Sequence, residues 1–328
     1  MSNRLVRMMA LAAITLCAPI AAPGAARAET ITVTHWGSAF YGAPYAVALE
    51  KGFFKSRGLD ITGFLTSAGG GTSVRNTLAG DLPFGEVALP AALLAIKSGQ
   101  PLKIIGGGVE SIADIAWITQ LDSPMNSLAD VVGRKVAFTS PGSVTNMVLL
   151  MCLNKAGIDP KSVKLLAAGD IGANLSAVLN RAIDAGMTSE PLWSEYQTKV
   201  KAAFWAKDCT NPAMTQTVTV TTAEFAKTGG AKLRALLDAR REGVEYILAH
   251  PEEAADITAR AFNGDKVLYR QVFKHFLEIG YFGDGRLQEE NLNRMADGMR
   301  LVGQLAAPVE WTAIVDRSFL PERLQAAR

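Results

Sequence analysis

Histidine and cysteine are scarce in this chain, with three of each among 328 residues. No two of His35, His250 and His275 have metal-ligand spacing, and the cysteines form no paired C-x-x-C, so a zinc knuckle is excluded. There is no G-x-x-x-x-G-K-[ST] phosphate loop, no H-E-x-x-H and no G-x-S-x-G elbow. Gly69-Gly70-Gly71 and Gly106-Gly107-Gly108 do not match the dinucleotide fingerprint. An excess of charge of one sign is also missing, because 33 Lys and Arg face 31 Asp and Glu. No basic cluster exists to hold a nucleic acid. Glycine and proline follow no period, which removes collagen-like and low-complexity classes. Beyond the N-terminus no apolar run approaches the roughly 20 residues a bilayer span requires. These absences predict a globular protein with no catalytic residue, no metal and no cofactor.

The first 28 residues read as an export signal. Arg4 and Arg7 supply the positive end, Met8–Cys17 the apolar run, and Ala26-Arg27-Ala28 the small-x-small cleavage site. Leu16 before Cys17 argues against lipid attachment. Cleavage after Ala28 removes three arginines and takes the formal charge from +2 to −1, leaving a nearly neutral exported protein. An oxidising compartment permits a Cys152–Cys209 bond. Cys152 falls on the apolar face of a helix, however, and reads as a buried free thiol.

Strand and helix signals alternate. Strands are expected at Ile31–Trp36, Leu59–Leu65, Leu82–Ala88, Leu102–Gly106, Ala116–Leu121, Lys135–Thr139, Val163–Ala167, Ala182–Met187 and Thr215–Thr221. The stripe Val144, Met147, Val148, Met151, Cys152 marks a helix ending at Gly157. From 223 to 306 helical periodicity runs almost unbroken, with stops at His250-Pro251 and Gly280–Gly285. This alternation predicts an α/β protein of mostly parallel sheets flanked by helices. Length suggests two domains. If Ala116–Leu121 and Thr215–Thr221 cross between them, lobe one is 29–116 plus 218–328 and lobe two is 117–217.

Several loops place small and hydroxyl residues directly after a strand and before a helix, where open parallel sheets bind ligands. They are Ser38, Phe40 and Tyr41 after the first strand, then Gly70, Gly71 and Thr72, and then Ser140, Gly142 and Ser143. Helix N-termini there can hold a small anion without a dedicated arginine, or the hydroxyls merely cap helices. Tyr41, Trp117 and Trp193 supply aromatic walls, or core. Glu86 and Glu190 leave strands at the cleft end. Each is a rim carboxylate, a lobe-to-lobe hydrogen bond, or the acceptor of a ligand N–H. Arg75 is expected to pair with Glu86 or with an anionic ligand.

Residues Pro44–Phe54, Gly58-Leu59-Asp60, Gly69–Thr72, Leu78–Gly85, Ile96–Gly99, Leu128–Asp130, Gly133–Val136, Ser140–Ser143 and Asp184–Pro191 occur in an order that resembles a known family. It is the periplasmic solute-binding proteins of ABC importers, in the branch of nitrate, alkanesulfonate, taurine and thiamine-pyrimidine-precursor binders. The resemblance implies a type II-like fold of two α/β lobes joined by two crossing strands, with ligand contacts from the loops just described. It also implies a monomer that closes on a small organic anion or zwitterion, such as a sulfonate, and delivers it unaltered to a membrane permease with a separate ATPase. A heteroaromatic pyrimidine precursor or aromatic acid is the alternative ligand, and an exported enzyme on the same fold the alternative class. Pro83 departs from the acid that relatives often carry. The cysteine-rich motif of the yeast pyrimidine synthase relatives is absent.

Overall fold

The computed structural model describes residues 29–67 and 69–325, so the export signal lies outside the described residues. The strands are β1 (Glu29–Thr34), β2 (Ile61–Ser67), β3 (Phe84–Ala88), β4 (Leu102–Gly107) and β5 (Ala116–Gln120). They continue as β6 (Lys135–Phe138), β7 (Lys164–Ala167), β8 (Gly186–Thr188), β9 (Val200–Trp205) and β10 (Thr217–Thr222). The helices that matter below are α1 (Ala43–Glu50), α2 (Gly70–Ala79), α3 (Leu89–Lys97), α4 (Val144–Lys155), α5 (Ile171–Leu179) and α6 (Leu192–Tyr196). They are followed by α7 (Ala206–Cys209), α8 (Ala223–Thr228), α9 (Gly230–Ala249), α10 (Pro251–Phe262), α11 (Lys266–Glu278) and α12 (Glu289–Leu301).

Every strand that alternation predicts is present, most with ends shifted by one or two residues; β8 is a shorter piece of its expected run. One strand, β9, was not expected. Its sequence Val200-Lys-Ala-Ala-Phe-Trp buries Val200, Ala203 and Phe204, a spacing with no clean period of two. The first sheet runs β2-β1-β3-β10-β4. β1 is parallel to β2 and β3, whereas β10 is antiparallel to β3 and β4. The second sheet is β8-β5-β9, with β5 antiparallel to both neighbours, and β6 pairs in parallel with β7. The sheets are therefore mixed, with fewer parallel pairs than strand–helix alternation implies. Both antiparallel insertions involve the strands that follow a passage from one sheet to the other.

Those strands are not themselves the crossings. β5 pairs only within the second sheet and β10 only within the first. The crossings are the runs just before them, and they lie side by side. Ile112 donates its N–H to Pro212 (2.9 Å), Met214 to Glu110 (3.0 Å) and Gln216 to Val109 (2.7 Å), and Ser111 bridges Ala213 in antiparallel sense.

β1 shows how the first sheet is built. Ile31, Thr32, Val33 and Thr34 are all buried, as expected of a strand covered on both faces. α1 begins with Pro44 in its first turn, where a missing N–H costs nothing. It lies so close to α9 that a Cβ on Gly243 would sit 2.1 Å from the Pro44 carbonyl oxygen. Backbone cannot move aside as a flexible side chain can, so Gly243→Ala is expected to lower stability by about 1–3 kcal/mol in urea denaturation. The long helical stretch stops at His250 and at Gly280–Gly285, as the breaks predicted.

The cysteines correct the free-thiol expectation. Cys152 near the end of α4 and Cys209 at the end of α7 form a disulfide with a Cα–Cα distance of 5.2 Å. The helical stripe that pointed to a buried thiol is real, since Cys152 is fully buried. What lay beyond reach was that β9, unrecognised in the sequence, delivers α7 against the end of that helix.

Candidate functional site

A small cavity of about 20 Å³ lies between the C-terminal end of the first sheet, the start of α4 and the paired crossings. Of the expected residues it brings together Tyr41, Gly70 and Ser143. Each is positioned by local chemistry that the sequence carries. The loop after β1 turns through His35 and Phe40, both with positive φ (48° and 57°), a conformation non-glycine residues seldom hold without support. The support comes from hydrogen bonds of His35 N–H to Ser67 (3.1 Å) and Gly42 N–H to Trp36 (3.0 Å), and of the Tyr281 hydroxyl to Ala39 (2.6 Å). Tyr41 then donates its hydroxyl to Gln216 Oε1 at 2.6 Å. Burial raises the Tyr41 phenol well above its usual range, with Asp114 and then Glu86 adding to the effect, so it remains a hydroxyl.

Gly70 opens α2, and a Cβ there would lie 2.8 Å from the Cβ atoms of both Ala88 and Ala91. The first turn of α2 therefore seats against the β3–α3 junction only because no side chain intervenes. Ser143 caps α4 by accepting from the Asn146 N–H at 3.1 Å. Thr139 donates its N–H to Thr145 Oγ1 at 3.1 Å, which folds the strand end back on the helix start. First-turn N–H groups have no partner within their own helix, so the starts of α2 and α4 both present donors and partial positive charge. The turns that precede α2 and α4 approach closely here. A Cβ on Gly69 would be 2.8 Å from Ser140 Oγ, and one on Gly142 would be 3.0 Å from Leu94 Cδ1.

The other expected residues do not line this cavity. Phe40 is sealed among Phe262, Tyr269, Phe273 and Phe276. Trp117 is fully buried, stacks on Phe204 at 4.9 Å and donates Nε1–H to Ala137. Trp193 packs edge-on to Trp205. Ser38 lines a separate, more open depression with Asp170 and Glu195. Gly71 and Thr72 are exposed. Ser140 and Gly142 belong to the turn that abuts the facing half, where Gly142 donates its N–H to Asn146 Oδ1.

Glu86 is neither on a rim nor paired with Arg75. It is fully buried and ion-paired with Arg240, Nε to Oε2 at 2.6 Å. Arg75 instead donates to Thr72 Oγ1. Glu190 accepts from both the N–H and the hydroxyl of Ser194. Its burial pushes the carboxyl upward, and these hydrogen bonds pull it partly back.

Among the lining residues that were missed are His35, Asp114 and Gln216. Burial lowers His35 to about 4, only partly opposed by Asp170, so the imidazole is neutral at pH 7. Burial, and then Glu190, raises Asp114 to about 8. Gln216 donates to the Ser111 carbonyl across the paired crossings. No lysine or arginine side chain lines the cavity among the described residues. A bound solute would meet backbone donors from two helix starts, neutral hydroxyls and one carboxyl.

Comparison with known proteins agrees with this architecture. A protein of Brucella abortus (strain 2308) named as a binding protein is 27% identical over 307 residues, 88% of this chain and 91% of that one. The formylaminopyrimidine-binding protein of Halalkalibacterium halodurans is 24% identical over 215 residues, 64% of each chain. The solved structure of the alkanesulfonate-binding protein SsuA from Xanthomonas axonopodis pv. citri bound to MOPS superposes with a TM-score of 0.74 at 15% identity. That match covers 90% of this chain and all of that one, and it is a likeness of fold. The family described as NMT1/THI5 like matches residues 39–254, a span that holds both crossings and all of α9, and the chain belongs to that family.

Proposed function

We propose that this chain is the extracytoplasmic solute-binding component of an ABC importer. It captures a small organic anion or zwitterion between two lobes, residues 29–116 with 218–328 and residues 117–217. The observation that carries this reading is the cavity itself. Its walls come from both halves and from the crossings between them, and a helix start from each half faces it. Backbone N–H groups at such starts hold anionic oxygens without a cationic side chain. Exclusion of water on closure strengthens every polar contact inside. Closure then offers a membrane permease a changed outer surface. The reading includes cleavage after Ala28, so that N-terminal sequencing of the exported protein returns Glu29.

A second ligand reading, an aminated heteroaromatic ring such as a pyrimidine precursor, is favoured by the carboxyl of Asp114 on the cavity wall. The rival from another class, an exported enzyme, predicts a chemically altered solute.

Native mass spectrometry of freshly purified protein, followed by a thermal-shift panel, tests the proposal. A true solute returns with its mass unaltered and raises the midpoint with concentration. Ser143→Ala and Tyr41→Ala are each expected to weaken that solute about tenfold, near 1.4 kcal/mol. Unchanged affinity in both variants would place the site elsewhere. Scattering profiles that superimpose with and without solute would remove the closure mechanism.

A further inference from the structure

Asp114 lies in the crossing that leads into β5, 1% exposed, and lines the cavity. Its own backbone N–H and the Gln216 amide are its hydrogen-bonding neighbours, yet Oδ1 has no partner. A buried carboxyl oxygen without a hydrogen-bond partner is destabilising, more so when charged. Glu86 cannot serve a solute, being committed to Arg240, and Glu190 is held by Ser194.

The surroundings decide which chemistry Oδ1 awaits. Tyr41 donates its hydrogen bond to Gln216, which leaves the phenol lone pairs for the cavity. Gln216 has given an N–H to Ser111. The ionisable groups that interact with Asp114 are Tyr41, Tyr281 and the acid Glu190. His35, neutral, shares the cavity. Arg240 is spent on Glu86. This end of the cavity therefore accepts hydrogen bonds, while the end formed by α2 and α4 donates them.

We propose that Asp114 is the specificity-determining residue of the cavity, its free oxygen receiving a basic nitrogen of the solute while the helix starts hold the solute's oxygens. The inference rests on the solute-binding reading and narrows it to solutes that carry a protonated amine or an amidine-like N–H at one end. In the empty cavity the carboxyl is neutral near pH 7, because burial raises it to about 8. A protonated amine binds the ionised form and so expels one proton. Affinity for an amine that stays protonated is then expected to rise about tenfold per pH unit from pH 6 toward 8 and to level off above.

The test pairs probes that differ only in the nitrogen: taurine with ethanesulfonate, and 4-aminopyrimidine with 4-methylpyrimidine. Titration calorimetry on the full exported chain, in buffers of different ionisation enthalpy, reads affinity and proton release together. At least one aminated probe is expected to bind tenfold or more tighter than its partner. For taurine, binding would release a proton. Asp114→Asn, nearly isosteric, should abolish both the preference and the pH dependence while leaving the circular dichroism spectrum intact. Asp114→Glu should keep the proton release.

Equal binding within both pairs, or a preference that survives Asp114→Asn, overturns the role of Asp114 and leaves solute binding standing. No binding by any of the four probes rejects the basic-nitrogen class. If native mass spectrometry then also finds no retained solute, the solute-binding reading falls with it.

Discussion

Arg240→Met is expected to lower the unfolding free energy by about 3–5 kcal/mol, because it strands a buried carboxylate. The Arg240 side chain is 1% exposed and that of Glu86 0%. Burial alone would favour the neutral form of Arg240, but the Glu86 carboxylate and then Tyr45 together outweigh it and hold the guanidinium charged. Arg240 Nη1 also donates to the Gly283 carbonyl at 2.9 Å, and Thr217 donates its hydroxyl to Glu86 Oε1 at 2.7 Å. The pair thus ties α9, β3, β10 and the turn after α11 together. The fit is close, since a Cβ on Gly108 would lie 2.5 Å from Glu86 Oε1.

Removing both charges at once, as Glu86→Gln with Arg240→Met, is expected to regain most of the loss, because no uncompensated charge remains. Urea denaturation of the wild type, both single variants and the double variant closes the cycle. A single-variant cost below about 1 kcal/mol would mean that water reaches the site, contrary to its burial.

The second large effect concerns the disulfide. Cys152 and Cys209 are separated by 57 residues, and closing a loop of that length removes about 4 kcal/mol of chain entropy from the unfolded state. The variant Cys152→Ala with Cys209→Ala is therefore expected to unfold at lower urea by that amount, and reductant should do the same to the wild type. The bond joins α4 to α7, and neither cysteine lines the cavity. Solute affinity should change by less than about twofold at temperatures where the variant remains folded. A large loss of affinity without loss of stability would show that the bond instead aims the start of α4 at the solute.

The limits of reading the sequence alone are visible residue by residue. Backbone chemistry was legible. Pro44, the glycines around Gly70 and the Ser143 cap each announce a turn or a helix start, and these place the donor end of the cavity. Tyr41 was legible through its position in a strand-to-helix loop. The acceptor end was not. Asp114 sits in a crossing that carries no periodic signal and Gln216 at the start of an expected strand, and they meet only because two segments about a hundred residues apart lie side by side.

Aromatic residues misled in the expected direction. Trp117 and Phe40 stand beside the right loops but face the interior, and direction cannot be read from a single aromatic in a strand or a tight loop. Glu86 misled for a related reason. Its partner Arg240 lies in the middle of a helix whose period identifies the buried face but not what that face meets. The disulfide failed with β9, whose alternation is broken by Lys201 and Ala202.

The side-by-side crossings have a mechanical consequence. Two ribbons bonded edge to edge through Ile112, Met214 and Gln216 resist sliding past each other and resist twisting, yet bend across their flat face at little cost. Any swing of one half would then follow a single line, like a strap hinge and unlike a ball joint. The gap between Gly69 and Ser140 and the gap between Gly142 and Leu94 would widen together and in fixed proportion.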